Sequence, residues 1–102
     1  MDIYYGGVIW TNHALQRLKT RGISQRDAWD TWRYPDQSKY AKSRGAWIYL
    51  KTFRQRKIEV VAKKNEKKEW LILSVWTKDV YPQGSNYKFS FWKFLLKILG
   101  LK

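Results

Sequence analysis

The sequence predicts an α+β fold: two N-terminal helices, a three- or four-stranded antiparallel sheet, and an aromatic C-terminal helix or strand. Two observations carry the helices. Each of two short amphipathic stretches before Pro35 begins on a capping residue and ends on a helix stop. A third observation carries the sheet: residues 46–77 hold three runs rich in Trp, Ile, Val and Tyr, separated by polar turns. A chain of 102 residues buries roughly two-thirds of its unfolded surface, enough for one core.

The first helix is expected over residues 13–21, with Thr11 or Asn12 as N-cap and Gly22 just past its end. Ala14, Leu15 and Leu18 form its apolar stripe, while Gln16, Lys19 and Thr20 point to solvent. His13, Arg17 and Arg21 recur every four residues along one edge of that stripe. The second helix starts at Ser24, which with Asp27 makes a capping-box-like pair, and Ile23 can staple against Ala28. Ala28, Trp29 and Trp32 form its inner side. Tyr34-Pro35 stops it, because a residue before proline is pushed away from α geometry.

Strands follow. Residues 38–42 code a short one weakly, and residues 46–53 code one strongly. In residues 56–63 the alternation puts Ile58, Val60 and Ala62 on one face and Lys57, Glu59, Val61 and Lys63 on the other. Residues 65–68 turn, and residues 70–77 are apolar on both faces, as in a central strand covered on each side. These elements form one domain over residues 1–80. Residues 81–102 are an aromatic and basic extension expected to dock on the domain or on a partner, with a homodimer through it as one candidate assembly. As a helix, residues 87–99 reach about 20 Å, too short for a bilayer; peripheral membrane binding is the sharper alternative to docking.

Charge is the most telling bulk property. Twenty-one Lys and Arg against eight Asp and Glu leave a net +13. Residues 36–68 alone carry eleven basic and three acidic groups. Such a field attracts polyanions. With no cysteine and one histidine, thiol chemistry and Cys-ligated zinc are excluded, and no cofactor is expected. The segment Pro35-Asp36 with Glu59 and Lys63 has the wrong spacing for a metal-nuclease motif. The N-terminus lacks a signal-peptide layout and no apolar run reaches about 18 residues, so a cytoplasmic protein with no integral membrane association is expected.

RNA cleavage by its own 2′-hydroxyl needs only a proton acceptor, a proton donor and cations on the phosphate. His13 sits in the first turn of a helix, where the dipole and nearby cations favour a neutral imidazole able to accept a proton. Arg17 lies one turn on and can grip a phosphate. Both arginines have a plainer alternative, ion pairs to Asp27 or Asp30 of the second helix. Of seven tryptophans, Trp29, Trp32, Trp70 and Trp47 are expected in the core, leaving Trp10 and Trp76 as candidate base stackers. Lys63 and Lys64, with Lys67 and Lys68, flank a hairpin turn that can lie along phosphates.

The stretch from Thr11 to Ser24, read as H-x-x-x-R-x-x-x-R-G-I-S from His13, resembles the opening of a widespread bacterial and archaeal family of unknown function. The resemblance runs over about residues 11–78, through Asp27 to Pro35, Trp47 to Tyr49, Ile58 to Val61, and Leu73-Ser74-Val75-Trp76. That family is grouped with the barnase, EndoU, colicin and RelE class of compact ribonuclease toxins, which place helices before a four-stranded antiparallel sheet. The resemblance implies a metal-independent endoribonuclease of toxin type. It implies His13 as acid/base and Arg17 and Arg21 as helix cations. Lys57 and Lys51 are weaker additions to the basic set, and Ser74 or Thr77 offers a hydroxyl to a phosphate or base. RNA is the implied substrate and an acidic antitoxin the implied protein partner. A catalytically silent nucleic-acid-binding module using the same basic sheet is the alternative. The aromatic extension departs from the family pattern.

Overall fold

A computed structural model describes residues 1–54 and 56–79. The expected aromatic C-terminal element, the extension over residues 81–102 and the homodimer through it lie outside the described residues.

The chain opens on a hairpin rather than a helix. Strands β1 (Tyr4–Tyr5) and β2 (Val8–Trp10) pair antiparallel. Gly6 and Gly7, at φ 65° and 80°, form the two-residue turn between them, which needs left-handed backbone at both positions. Helix α1 (Asn12–Arg21) follows, and Thr11 settles as its N-cap by accepting from the Ala14 N–H at 3.1 Å. The same hydroxyl donates toward the Ile72 and Leu73 carbonyls, at 3.0 and 3.2 Å, and so clips the helix start to the last strand. Gly22 ends α1 in left-handed conformation, and the Ile23 N–H returns to the Leu18 carbonyl at 2.9 Å.

Helix α2 (Gln25–Arg33) is capped by the Ser24 hydroxyl, which accepts from the Asp27 N–H at 3.0 Å. Buried Gln25 holds the N-terminal segment ahead of β1 in place. Its carbonyl oxygen accepts from the Asp2 N–H at 3.1 Å and its amide donates to the Asp2 carbonyl at 2.8 Å. Then come β3 (Gln37–Ala41), a 3-10 turn (Lys42–Arg44), β4 (Ala46–Phe53), β5 (Arg56–Lys64) and β6 (Trp70–Asp79).

The six strands form one sheet in the order β1-β2-β6-β5-β4-β3. Neighbours are antiparallel except β2 and β6, which run parallel with Ile9 opposite Leu71 and Trp10 opposite Ile72. Both helices pack on one face. There Ala14, Leu18, Ile23 and Ala28 meet Ile58, Val60, Ala62, Ile72 and Val75, all nearly or wholly buried. The opposite face has its own apolar cluster of Ala46, Ile48 and Val61, with Leu73 and Trp76 against it. A register shift between Val61 and Ala62 gives β6 one extra residue and leaves Leu73 and Ser74 beside that second face.

The expected architecture is therefore corrected. The fold is α+β, but the sheet is mixed and six-stranded, and two strands precede the helices. The missed strands are two and three residues long, too short to show a period. The parallel contact joins segments some sixty residues apart in sequence, which no local pattern encodes. Among the described residues no helix is long and apolar enough to cross a membrane.

Candidate functional site

Strand β2 ends after pairing with the first residues of β6, so beyond Ile72 no strand borders that edge of β6 among the described residues. Helix α1 lies along that edge, and β6 is its main partner in the sheet. The row His13, Arg17 and Arg21 is thereby brought to the side where β6 displays Trp76. Arg21 sets its guanidinium 3.8 Å from the Trp76 ring centre and Arg17 at 5.4 Å, both within cation–π range. The Arg17 Nε donates to His13 Nε2 at 3.4 Å, a long contact that a competing phosphate can displace. Partial burial, and then the Arg17 charge, lower the His13 pKa from its ordinary 6.5. A neutral imidazole beside two guanidiniums is suited to taking a proton near an anion.

Trp76 faces Glu59 across the β5–β6 pair, and the next same-face pair is Lys57 opposite Lys78. Glu59 is 2% exposed, and its Oε1 has no hydrogen-bond partner among the described residues. Burial pushes its pKa up to about 8, against the opposing pull of Lys57 and Lys78. Glu59 is thus largely protonated at neutral pH.

The other expected residues divide. Lys57 belongs to this cluster through Glu59. Ser74 shares the face but is fully buried, and its Oγ lacks a partner among the described residues. Thr77 pairs with Ile58 on the helix-bearing face, and its Oγ1 is also buried without one. Lys51 is on that face too, donating to the Tyr34 carbonyl at 2.8 Å and so securing the end of α2. Lys63 and Lys64 are exposed at the far end of β5, about 20 Å along the strand from Lys57. Trp10 is buried at 1% exposure and cannot stack on a base.

Arg21 does not take the ion pair that its position suggested. Asp30 pairs with Arg26 at 3.6 Å instead, while the Gly22 carbonyl beside Arg21 accepts from Arg56 Nη2 at 3.1 Å. Among the described residues no three His, Cys, Asp or Glu side chains gather in a way that could hold a metal ion. Sequence reasoning missed Glu59 and Lys78. Alternation put Glu59 on a polar face, yet Val61 on that same face already indicated cover on both sides of β5.

No curated protein and no solved structure matches the chain. One family model does, over residues 10–77, from the last residue of β2 into β6. The match takes in both helices and every residue of the cluster from His13 to Trp76 except Lys78, and on that basis the chain belongs to the DUF4258 family, a domain of unknown function.

Proposed function

We propose that this chain is a metal-independent endoribonuclease of toxin type, a finer placement of the family within the barnase–RelE class of ribonucleases. The 2′-hydroxyl of the substrate gives its proton to His13 Nε2 and attacks the adjacent phosphorus. The bond to the 5′-oxygen breaks, that oxygen takes a proton from solvent, and a 2′,3′-cyclic phosphate remains. Arg17, supported by Arg21 and Lys57, neutralises the charge that gathers on the phosphoryl oxygens. The observation that carries this reading is the His13–Arg17 contact at 3.4 Å, with the imidazole pKa held below its ordinary value. A net charge of +13 fits both an RNA substrate and an acidic antitoxin as partner.

The test is end-labelled RNA incubated with wild-type and His13→Ala protein in excess EDTA. Cleavage by the wild type that leaves cyclic-phosphate ends, and falls by roughly 10²–10⁴ in the variant, is the expected result. Uncleaved RNA that both proteins bind equally, with isolated RNA and with ribosomes, would replace this reading by a catalytically silent nucleic-acid-binding module.

A further inference from the structure

On the helix-bearing face, β3, β4 and the β5–β6 turn extend past the end of α2. There Tyr40, Gly45, Trp47, Tyr49, Lys64 and Trp70 line a cleft of about 460 Å³, within the roughly 300–1,000 Å³ range of ligand pockets. Of the six tryptophans among the described residues, Trp47 alone is exposed. It is 37% accessible, and its cross-strand neighbour Tyr40 is 46% accessible.

These rings are braced. Trp47 leans on Tyr40 at 5.1 Å and lies within 22° of parallel to Tyr49 at 6.2 Å. Tyr49 meets Trp70 edge-on at 6.2 Å, and Trp70 meets Trp32 of α2 at 5.9 Å. The exposed end of this aromatic row is therefore held in place through its partly buried end before any ligand arrives, which lowers the ordering cost of binding. Lys64 completes the cleft with its ammonium 5.5 Å over the Trp70 ring, and exposed Lys67 and Lys68 follow in the adjoining turn.

We infer that this cleft binds unpaired nucleobases of a single RNA strand, with Trp47 and Tyr40 as the stacking surface and Lys64 on the adjacent phosphate. The inference rests on the reading of RNA as the substrate and adds to it a preference for single strands. Aromatic faces stack on bases of any sequence, but only where those bases are not already stacked inside a duplex. Charge decides between a nucleic acid and a neutral sugar as the stacked ligand, because residues 36–68 carry eleven basic groups against three acidic ones. The cleft lies on the opposite side of the sheet from Trp76 and Glu59, so it holds the strand away from the reacting phosphate.

The test uses the full chain carrying His13→Ala, so that RNA is not consumed. A short, labelled, adenine-rich RNA strand and its duplex are titrated by fluorescence anisotropy. Trp47→Ala is expected to weaken single-strand binding by about 5- to 100-fold, while duplex binding changes by less than about twofold. Trp47→Phe keeps most of the affinity and loses part of the tryptophan quenching, which reads the site even if Trp47→Ala folds poorly. Lys64→Ala is expected to reduce the salt slope by about one. Equal losses for strand and duplex, or no loss in any variant, would overturn the inference. So would a cleft occupied by a second copy, seen as a dimer that Trp47→Ala dissolves without change in RNA binding. The two readings separate cleanly: wild-type cleavage tests His13 chemistry, whereas strand discrimination in the His13→Ala background does not depend on cleavage.

Discussion

Arg21 stacks on Trp76 with its guanidinium carbon 3.8 Å from the ring centre, joining the last turn of α1 to β6, the interior strand between β2 and β5. The contact keeps a cation at the end of α1, where it also complements the helix dipole. It keeps that cation beside Arg17 as well. Arg21→Ala is expected to cost about 0.5–1 kcal/mol of stability and to weaken RNA binding. A double-mutant cycle with Trp76→Leu checks it: a coupling energy near zero would show that the two side chains are only adjacent.

The pH dependence of cleavage follows from the lowered His13 pKa. The base form grows as pH rises, so activity is expected to climb through a midpoint below 6.5 and then level. Burial is the larger cause and the Arg17 charge the smaller. Arg17→Gln should therefore move the midpoint upward without bringing it past the ordinary value, and should also lower the plateau. The profile of kcat/KM against pH measures both. A midpoint that stays put in Arg17→Gln would remove Arg17 from the electrostatics of the imidazole.

Helix ends were readable in the residues because capping chemistry is local: Thr11, Gly22, Ser24 and Pro35 each act within a turn. Strand β4 was readable because its aromatic and branched residues sit between clear turns. The β1–β2 hairpin had one signal, the Gly6-Gly7 pair, but five strand residues carry no period. The spacing of His13, Arg17 and Arg21 placed them in one row, yet only the parallel run of β2 beside β6 puts Trp76 under that row. Trp47 misled in the other direction. A tryptophan in a strand suggests core, but α2 ends before it can cover that part of the sheet.

Gly6 is tested by its own neighbour. Its φ of 65° is the left-handed conformation that side chains disfavour, and a Cβ there would run into the Trp29 indole. That ring is fixed, since its Nε1 donates to the Gly6 carbonyl at 3.0 Å. Gly6→Ala is expected to destabilise the fold by about 1–3 kcal/mol, read as a lower urea midpoint with unchanged slope. Gly7→Ala has open space around its Cβ and should lose less, through the turn conformation alone.

Glu59 makes the stability of the whole domain depend on pH in an uncommon direction. Its pKa rises from 4.5 to about 8 on folding, so between those values the folded chain holds a proton that the unfolded chain has released. Stability contributed by this group is complete below pH 4.5, falls as pH climbs through the window, and levels off above about 8. Glu59→Gln keeps the shape and removes the titration. Its unfolding free energy minus that of wild type should grow steadily across that window, making the variant the more stable protein above pH 8. Lys57→Ala should extend the wild-type loss to higher pH, because Lys57 is one of the two cations that favour the ionised carboxylate. Urea unfolding of the three proteins across the window decides it. A difference between Glu59→Gln and wild type that stays constant with pH would mean that the carboxyl is already ionised in the folded chain, stabilised there by Lys57 and Lys78.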